Sequence, residues 1–155
     1  MYIRLIGVLT FGVTKFIDMG KYFTIKELCD SDNAVELNIH NLPSTENVRN
    51  MNKLIEAVLD PLREKWGKPI YVNSGFRNLA LNKAVGGSKT SHHLCKNGYA
   101  AADITTASVN DNKKLFELIK SMDLPICQCI DEYNYSWIHV SYNPNDIRKQ
   151  YLHED

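Results

Sequence analysis

The stretch SHHLCKNGYAAAD, residues 91 to 103, brings two adjacent histidines, a cysteine and an aspartate close together in the chain. Imidazole nitrogen, thiolate sulfur and carboxylate oxygen are the donors zinc accepts, and a catalytic zinc takes three of them and leaves a fourth position to water. A further imidazole, His139, stands in Trp137-Ile138-His139-Val140-Ser141. Alone, a histidine on a strand is more often a hydrogen-bonded core residue than a ligand. His93, Asp103 and His139 together reach the count of a catalytic site, two nitrogens and one carboxylate. No HExxH helix and no paired CxxC motifs occur, so the ligands must converge from separate elements. Spacing alone leaves open whether they do, and a polar loop running into a buried strand is the competing reading. Cys127-x-Cys129, flanked by Ile126 and Ile130, alternates as a strand does and reads as buried thiols rather than a zinc pair.

The elements that would position these residues can be read from periodicity. Thr24 and Glu27 form a capping-box signal, so a short helix is expected to start there. Val48, Met51, Ile55, Val58, Leu59, Leu62 and Trp66 recur every three or four positions and predict an amphipathic helix over 45–66. Pro61 has no amide to donate, so that helix is expected to kink or restart at Asp60-Pro61, with Asp60 as a fresh cap. Gly67 should end it. Residues 69–73 then predict a strand that delivers Arg77 just past its end. Residues 78–90 read as a short helix and a turn, 100–105 as a strand, 112–122 as a second amphipathic helix, and 126–130 and 137–142 as two more strands joined by the polar link 131–136. Helices come first and strands later, with connections too short for repeated βαβ crossovers. The expected fold is therefore α+β, an antiparallel sheet with helices packed on one side.

Composition narrows the function classes. The 155 residues, 44% hydrophobic and 23% charged, suit one globular domain with one core. Eighteen basic residues balance eighteen acidic ones, so the positive field that drives nucleic-acid binding is missing and no nucleic-acid partner is expected. Arg4, Lys15 and Asp18 interrupt the apolar N-terminal segment well short of the ~20 residues a membrane span needs. With no small-residue cleavage site after Leu9, a signal peptide is not expected either. Residues 1–18 are read as an N-terminal extension, either a first strand or helix on the core or residues upstream of a natural start at Met19, and 19–155 as the domain proper. The four cysteines are too few and too scattered for a disulfide scaffold.

Four motifs in order, Ser74-Gly75-Phe76-Arg77, Val85 to Leu94, Gly98 to Ile104 and Trp137 to Tyr142, resemble the zinc D-alanyl-D-alanine carboxypeptidase family, whose fold is shared with the hedgehog signalling domain. The resemblance covers about residues 20–150. It implies a hedgehog/DD-peptidase-like α+β fold and one catalytic zinc on His93, Asp103 and His139, with His92 the variable position of a Ser-x-His motif and expected as a solvated loop residue. Nine residues stand between His93 and Asp103, longer than the family pattern, and the glycine-to-aspartate register is shifted by one. That shift would turn Asp103 to the other face of its strand unless a bulge absorbs it, with Cys95 as a substitute ligand.

The resemblance also implies that a carboxylate beside the attacking water acts as base. In the branch of the family this chain looks most like, the base is a glutamate on the strand before the last, after a Gln-x-Ile run. Gln128-Cys129-Ile130-Asp131-Glu132 offers two acids there, and Glu132 is the implied base with Asp131 as alternative, while Ser136 stands where other members carry an acid. Arg77 is implied to contact substrate carboxylate or the developing oxyanion, and Ser91 either contacts substrate or caps the loop. The implied function is zinc-dependent hydrolysis of peptide bonds in peptidoglycan stem peptides, as a carboxypeptidase on terminal D-alanine or as an endopeptidase. A bacterial or phage monomer acting at the cell wall, cytoplasmic if it lacks a signal peptide, is expected. A zinc-bearing cell-wall binding module that has lost catalysis is the alternative, and the presence of Glu132 and Arg77 speaks against it.

Overall fold

The structure is a computed structural model that describes residues 8–11 and 14–155. Part of the expected N-terminal extension forms a hairpin, β1 (Val8–Phe11) paired antiparallel with β2 (Thr14–Ile17) as a sheet of its own; the rest of the readings on residues 1–18 lie largely outside the described residues. The short helix α1 (Ile25–Cys29) starts at Thr24, whose side chain accepts from the Glu27 amide at 3.1 Å while the Glu27 carboxylate accepts from the Thr24 amide at 3.1 Å. A further short helix, α2 (Asp32–Glu36), follows.

The long amphipathic segment forms as α3 (Thr45–Leu54), a wide π turn over Ile55–Leu59, and α4 (Asp60–Trp66), ended by Gly67 at φ 73°. Its interruption lies one turn earlier than expected. Pro61 gives no amide to the carbonyl four residues before it and its ring crowds that carbonyl; the turn ahead widens, and the Asp60 amide reaches back to Ile55 O. Asp60 itself has helical backbone and no capping bond. Its carboxylate instead accepts from the amides of Lys21 (2.5 Å) and Tyr22 (3.0 Å), tying the chain before α1 to α4.

Five strands form the main sheet in the order β3 (Tyr71–Ser74), β4 (Ala100–Thr105), β6 (Trp137–Tyr142), β5 (Gln128–Glu132), β7 (Gln150–Glu154). Pairing is antiparallel except at β5–β7, where an unforeseen last strand adds in parallel to the sheet edge. Between β3 and β4 lie α5 (Leu79–Ala84) and a 3₁₀ turn at His92–Leu94; between β4 and β5 lies α6 (Val109–Ser121). That helix starts earlier than its apolar periodicity suggests, because the Ser108 hydroxyl accepts from the Asp111 amide at 3.1 Å.

Side chains alternate between two faces of the sheet. Ala100, Ala102, Ile104, Cys129, Ile138 and Val140 point into one buried cluster with Met51, Leu54, Leu62, Leu115, Phe116 and Ile119 of the helices. Alanine at 100 and 102 lets α3 lie close on β4. The opposite face is left for Asp103, His139, Ile130 and Glu132, which line an open cleft.

Candidate metal centre and active site

Asp103 on β4 and His139 on β6 are direct cross-strand partners, so the pleat puts both on the cleft face. The β4–β6 ladder runs without interruption from Ala100↔Tyr142 to Ile104↔Ile138, and no bulge in β4 absorbs the extra length. The slack is taken up before the strand, where Cys95, Asn97 and Gly98 all have positive φ, and the register irregularity lies across from Asp103 in β3, between Val72 and Ser74. Cys95 does not join the site. It is fully buried in the helix-side cluster, and burial pushes its thiol up to about 12, which keeps it protonated at neutral pH.

His93 comes from the 3₁₀ turn, which Ser91 caps by accepting from the His93 amide at 3.3 Å. The Arg77 amide donates to His93 O at 2.8 Å, joining this turn to the segment after β3. Gly75 in that segment has its carbonyl 2.7 Å from His93 Nδ1. A carbonyl only accepts, so the proton sits on Nδ1 and Nε2 presents its lone pair. That Nε2 faces Asp103 Oδ1 at 3.1 Å and His139 Nδ1 at 3.2 Å, and Asp103 Oδ1 lies 2.9 Å from His139 Nδ1. An imidazole lone pair turned on a carboxylate oxygen at this distance is unfavourable unless a positive charge, a proton on Nε2 or a metal ion in its place, lies between them. His93 and His139 are buried and Asp103 nearly so, and the three donor atoms lie within 4.8 Å of one another, which fits a metal ion. Burial alone would raise the Asp103 carboxyl, but the flanking imidazoles, His93 foremost, outweigh it and hold it well below the usual carboxylate range.

Gly75 is also sterically required. A Cβ there would stand 2.3 Å from Leu28 O and 2.8 Å from Leu28 Cα, backbone against backbone. Gly75→Ala is expected to destabilise the fold by about 1–3 kcal/mol through this overpacking and, by displacing the carbonyl that orients His93, to weaken metal binding roughly 10–100-fold. Thermal unfolding and a metal-competition titration read the two effects; unchanged metal affinity would refute the orienting role of the carbonyl.

The two acids of β5 go to opposite faces. Asp131 is buried on the helix side and paired with His153 of β7, away from the cleft. Glu132 lines the cleft, and its Oε2 accepts from Trp137 Nε1 at 3.0 Å across the β5–β6 pair. Burial raises the Glu132 carboxyl above its ordinary value, the Asp103 charge adds to this, and His139 and the indole bond act against it. Ser136 lies in the turn between β5 and β6, its hydroxyl donating to Tyr133 O at 2.7 Å. Arg77 also lines the cleft; burial draws its guanidinium down from its usual value, Asp103 and Glu132 oppose the shift, and its buried Nε has no protein partner.

His92 is not the solvated loop residue expected. It is half-buried, its Nδ1 lies 2.9 Å from Ser141 Oγ, and its ring stacks on Tyr99 at 4.2 Å between centroids and 10° between planes. Burial, with His139 nearby, lowers its pKa to about 4, so the ring is neutral. Sequence reasoning missed this contact, the indole bond to Glu132 and Arg148, which comes to the cleft from the loop before β7. Strand alternation could have found the second, since it puts Trp137, His139 and Glu132 on one face.

The cleft that joins these groups has a volume of about 670 Å³ and is lined mainly by polar atoms. Among the described residues no helix is long and apolar enough to cross a membrane. No curated protein matches the sequence. The profile of one family, Peptidase M15, matches residues 21–141, a span that takes in every cleft residue except Arg148 and Glu154. With that match over most of its length and a two-histidine, one-aspartate cluster at the floor of its cleft, the chain belongs to the M15 family of peptidases.

Proposed function

We propose that the protein is a zinc-dependent hydrolase of peptide bonds in the stem peptides of bacterial cell wall, of bacterial or phage origin, with residues 19–155 as the catalytic domain. The observation that carries this reading is the meeting of His93, Asp103 and His139 in a cleft that also presents Glu132 and Arg77. Those three side chains would hold the ion. Zinc, when bound, supplies Lewis-acid polarisation of the scissile carbonyl and lowers the pKa of its water toward ~7.

The protein's own groups do the rest. Glu132 takes the proton of the attacking water and returns it to the leaving amine nitrogen, a transfer favoured by a pKa raised toward the working pH. Trp137 holds one oxygen of that carboxylate and leaves the other for the proton. Arg77, with an unpartnered Nε, receives a substrate carboxylate or the oxyanion that develops at the attacked carbon. Digestion of purified peptidoglycan by the zinc-loaded protein, with mass analysis of the fragments, tests the reading and separates loss of a terminal D-alanine from cleavage within the stem. Intact peptidoglycan after digestion would refute it and favour a binding module.

The indole bond gives a pH prediction. A hydrogen bond donated to the carboxylate favours its charged form, so Trp137→Phe raises the Glu132 pKa further. Because the base works only when deprotonated, the acid limb of kcat/KM should move to higher pH. A hydrogen bond of about 1 kcal/mol, discounted for a carboxylate only half removed from water, moves it by about half a unit. A pH–rate profile whose acid limb stays in place would show that the indole does not tune the base.

A further inference from the structure

Arg148 is the one basic residue lining the cleft that comes from outside the stretch matched by the family profile, and it has no part in the mechanism above. It stands on the loop between β6 and β7. Its Nε donates to Cys127 Sγ at 3.3 Å and its Nη2 lies 3.3 Å from Asp146 Oδ2. The same Asp146 oxygen accepts from Tyr99 Oη at 2.7 Å and from Cys127 Sγ at 3.2 Å. Tyr99 carries the stacked His92, which is tied in turn to Ser141 on β6. One edge of the guanidinium is thus braced by the protein, and among the described residues Nη1 has no partner. A planar donor fork fixed on one edge and open on the other matches a carboxylate.

Topology sets Arg148 apart from Arg77. Arg77 follows β3, at one edge of the sheet, and Arg148 precedes β7, at the other, with Asp103 and His139 on two of the three strands between. Arg77 and Arg148 bring cationic groups to the cleft from its two sides, and although Asp146 offsets part of the Arg148 charge, the open edge of that fork still faces an anionic group well. We propose that Arg148 forms a second carboxylate subsite, which selects peptides bearing a free carboxylate, on an acidic residue or on a diamino acid, at a position other than the group held by Arg77. This rests on the peptidase reading and adds a substrate class to it.

The test uses synthetic stem peptides with free carboxylates and the same peptides amidated at one carboxylate at a time, on zinc-loaded wild type, R148Q and R148K. Turnover is measured on cleavable peptides, and binding by calorimetry on fragments that lack the scissile bond. Wild type is expected to prefer one free-carboxylate position by about tenfold in Kd and kcat/KM, the effect of one charge-assisted hydrogen bond. R148Q should bring that ratio close to one, through KM rather than kcat, and R148K should keep part of it. Which amidation removes the preference tells an acidic residue from a diamino acid. A general loss of folding would not change the ratio, so a ratio in R148Q equal to that of wild type, or no binding of any peptide, overturns the proposal. The arms also separate the two claims: an R148-dependent preference in binding with no cleavage would remove the peptidase reading and keep the subsite, whereas cleavage with an R148-independent ratio would do the reverse.

Discussion

Glu132→Gln is expected to lower kcat on cell-wall peptides by about 10²–10⁴-fold, the span contributed by a positioned general base, while the protein keeps its metal and its fold. The amide preserves shape and can still accept from the Trp137 indole, but it cannot take a proton from water at neutral pH. Since Glu132 is absent from the donor cluster, metal content should stay at one equivalent and KM should change little. Turnover within tenfold of wild type would remove Glu132 from the mechanism. Asp131 could not take over, because β5 turns it to the buried side, against His153.

Asp103→Ala should have the other large effect. It deletes the one carboxylate of the donor set and leaves two imidazoles, so metal affinity should fall by more than the roughly 100-fold typical of losing an outer-shell partner, and hydrolysis should fall with it. Thermal unfolding gives a readout independent of activity. A ligand that binds only the folded state stabilises it by about 2.7 kcal/mol at a hundred times its Kd, which for a chain of this size raises Tm by roughly 5–11 °C. Added zinc should produce that rise in wild type and little of it in the variant. An equal rise in both would place the ion elsewhere.

Much of this centre is legible in the sequence, and the limits have physical causes. Metal chemistry narrows the candidate residue types, and the resemblance of Ser-x-His, a later Asp and Trp-x-His to the family pattern singles out His93, Asp103 and His139, which the fold brings together. Capping boxes and apolar periodicity place the helices well. The register of Asp103 was harder to read. A strand shifted by one residue exchanges its faces, and sequence cannot show that the loop at Cys95–Gly98 absorbs the extra length through backbone of positive φ. Likewise β7 carries no alternation strong enough to announce a parallel edge strand, whose pairing is decided by the exposed edge of β5. His92 could not be placed from its neighbours in sequence, since Ser141, its hydrogen-bond partner, lies 49 residues along the chain.

The central claim is that one imidazole from the 3₁₀ turn, one from β6 and the carboxylate of β4 hold a single zinc ion. X-ray absorption at the zinc edge of the loaded protein measures that directly. The account predicts one zinc per chain with two imidazole nitrogens at about 2.0–2.1 Å, oxygen from carboxylate and water at about 2.0–2.2 Å, and no sulfur. A sulfur shell near about 2.3 Å, or an active protein that carries no metal, would contradict it.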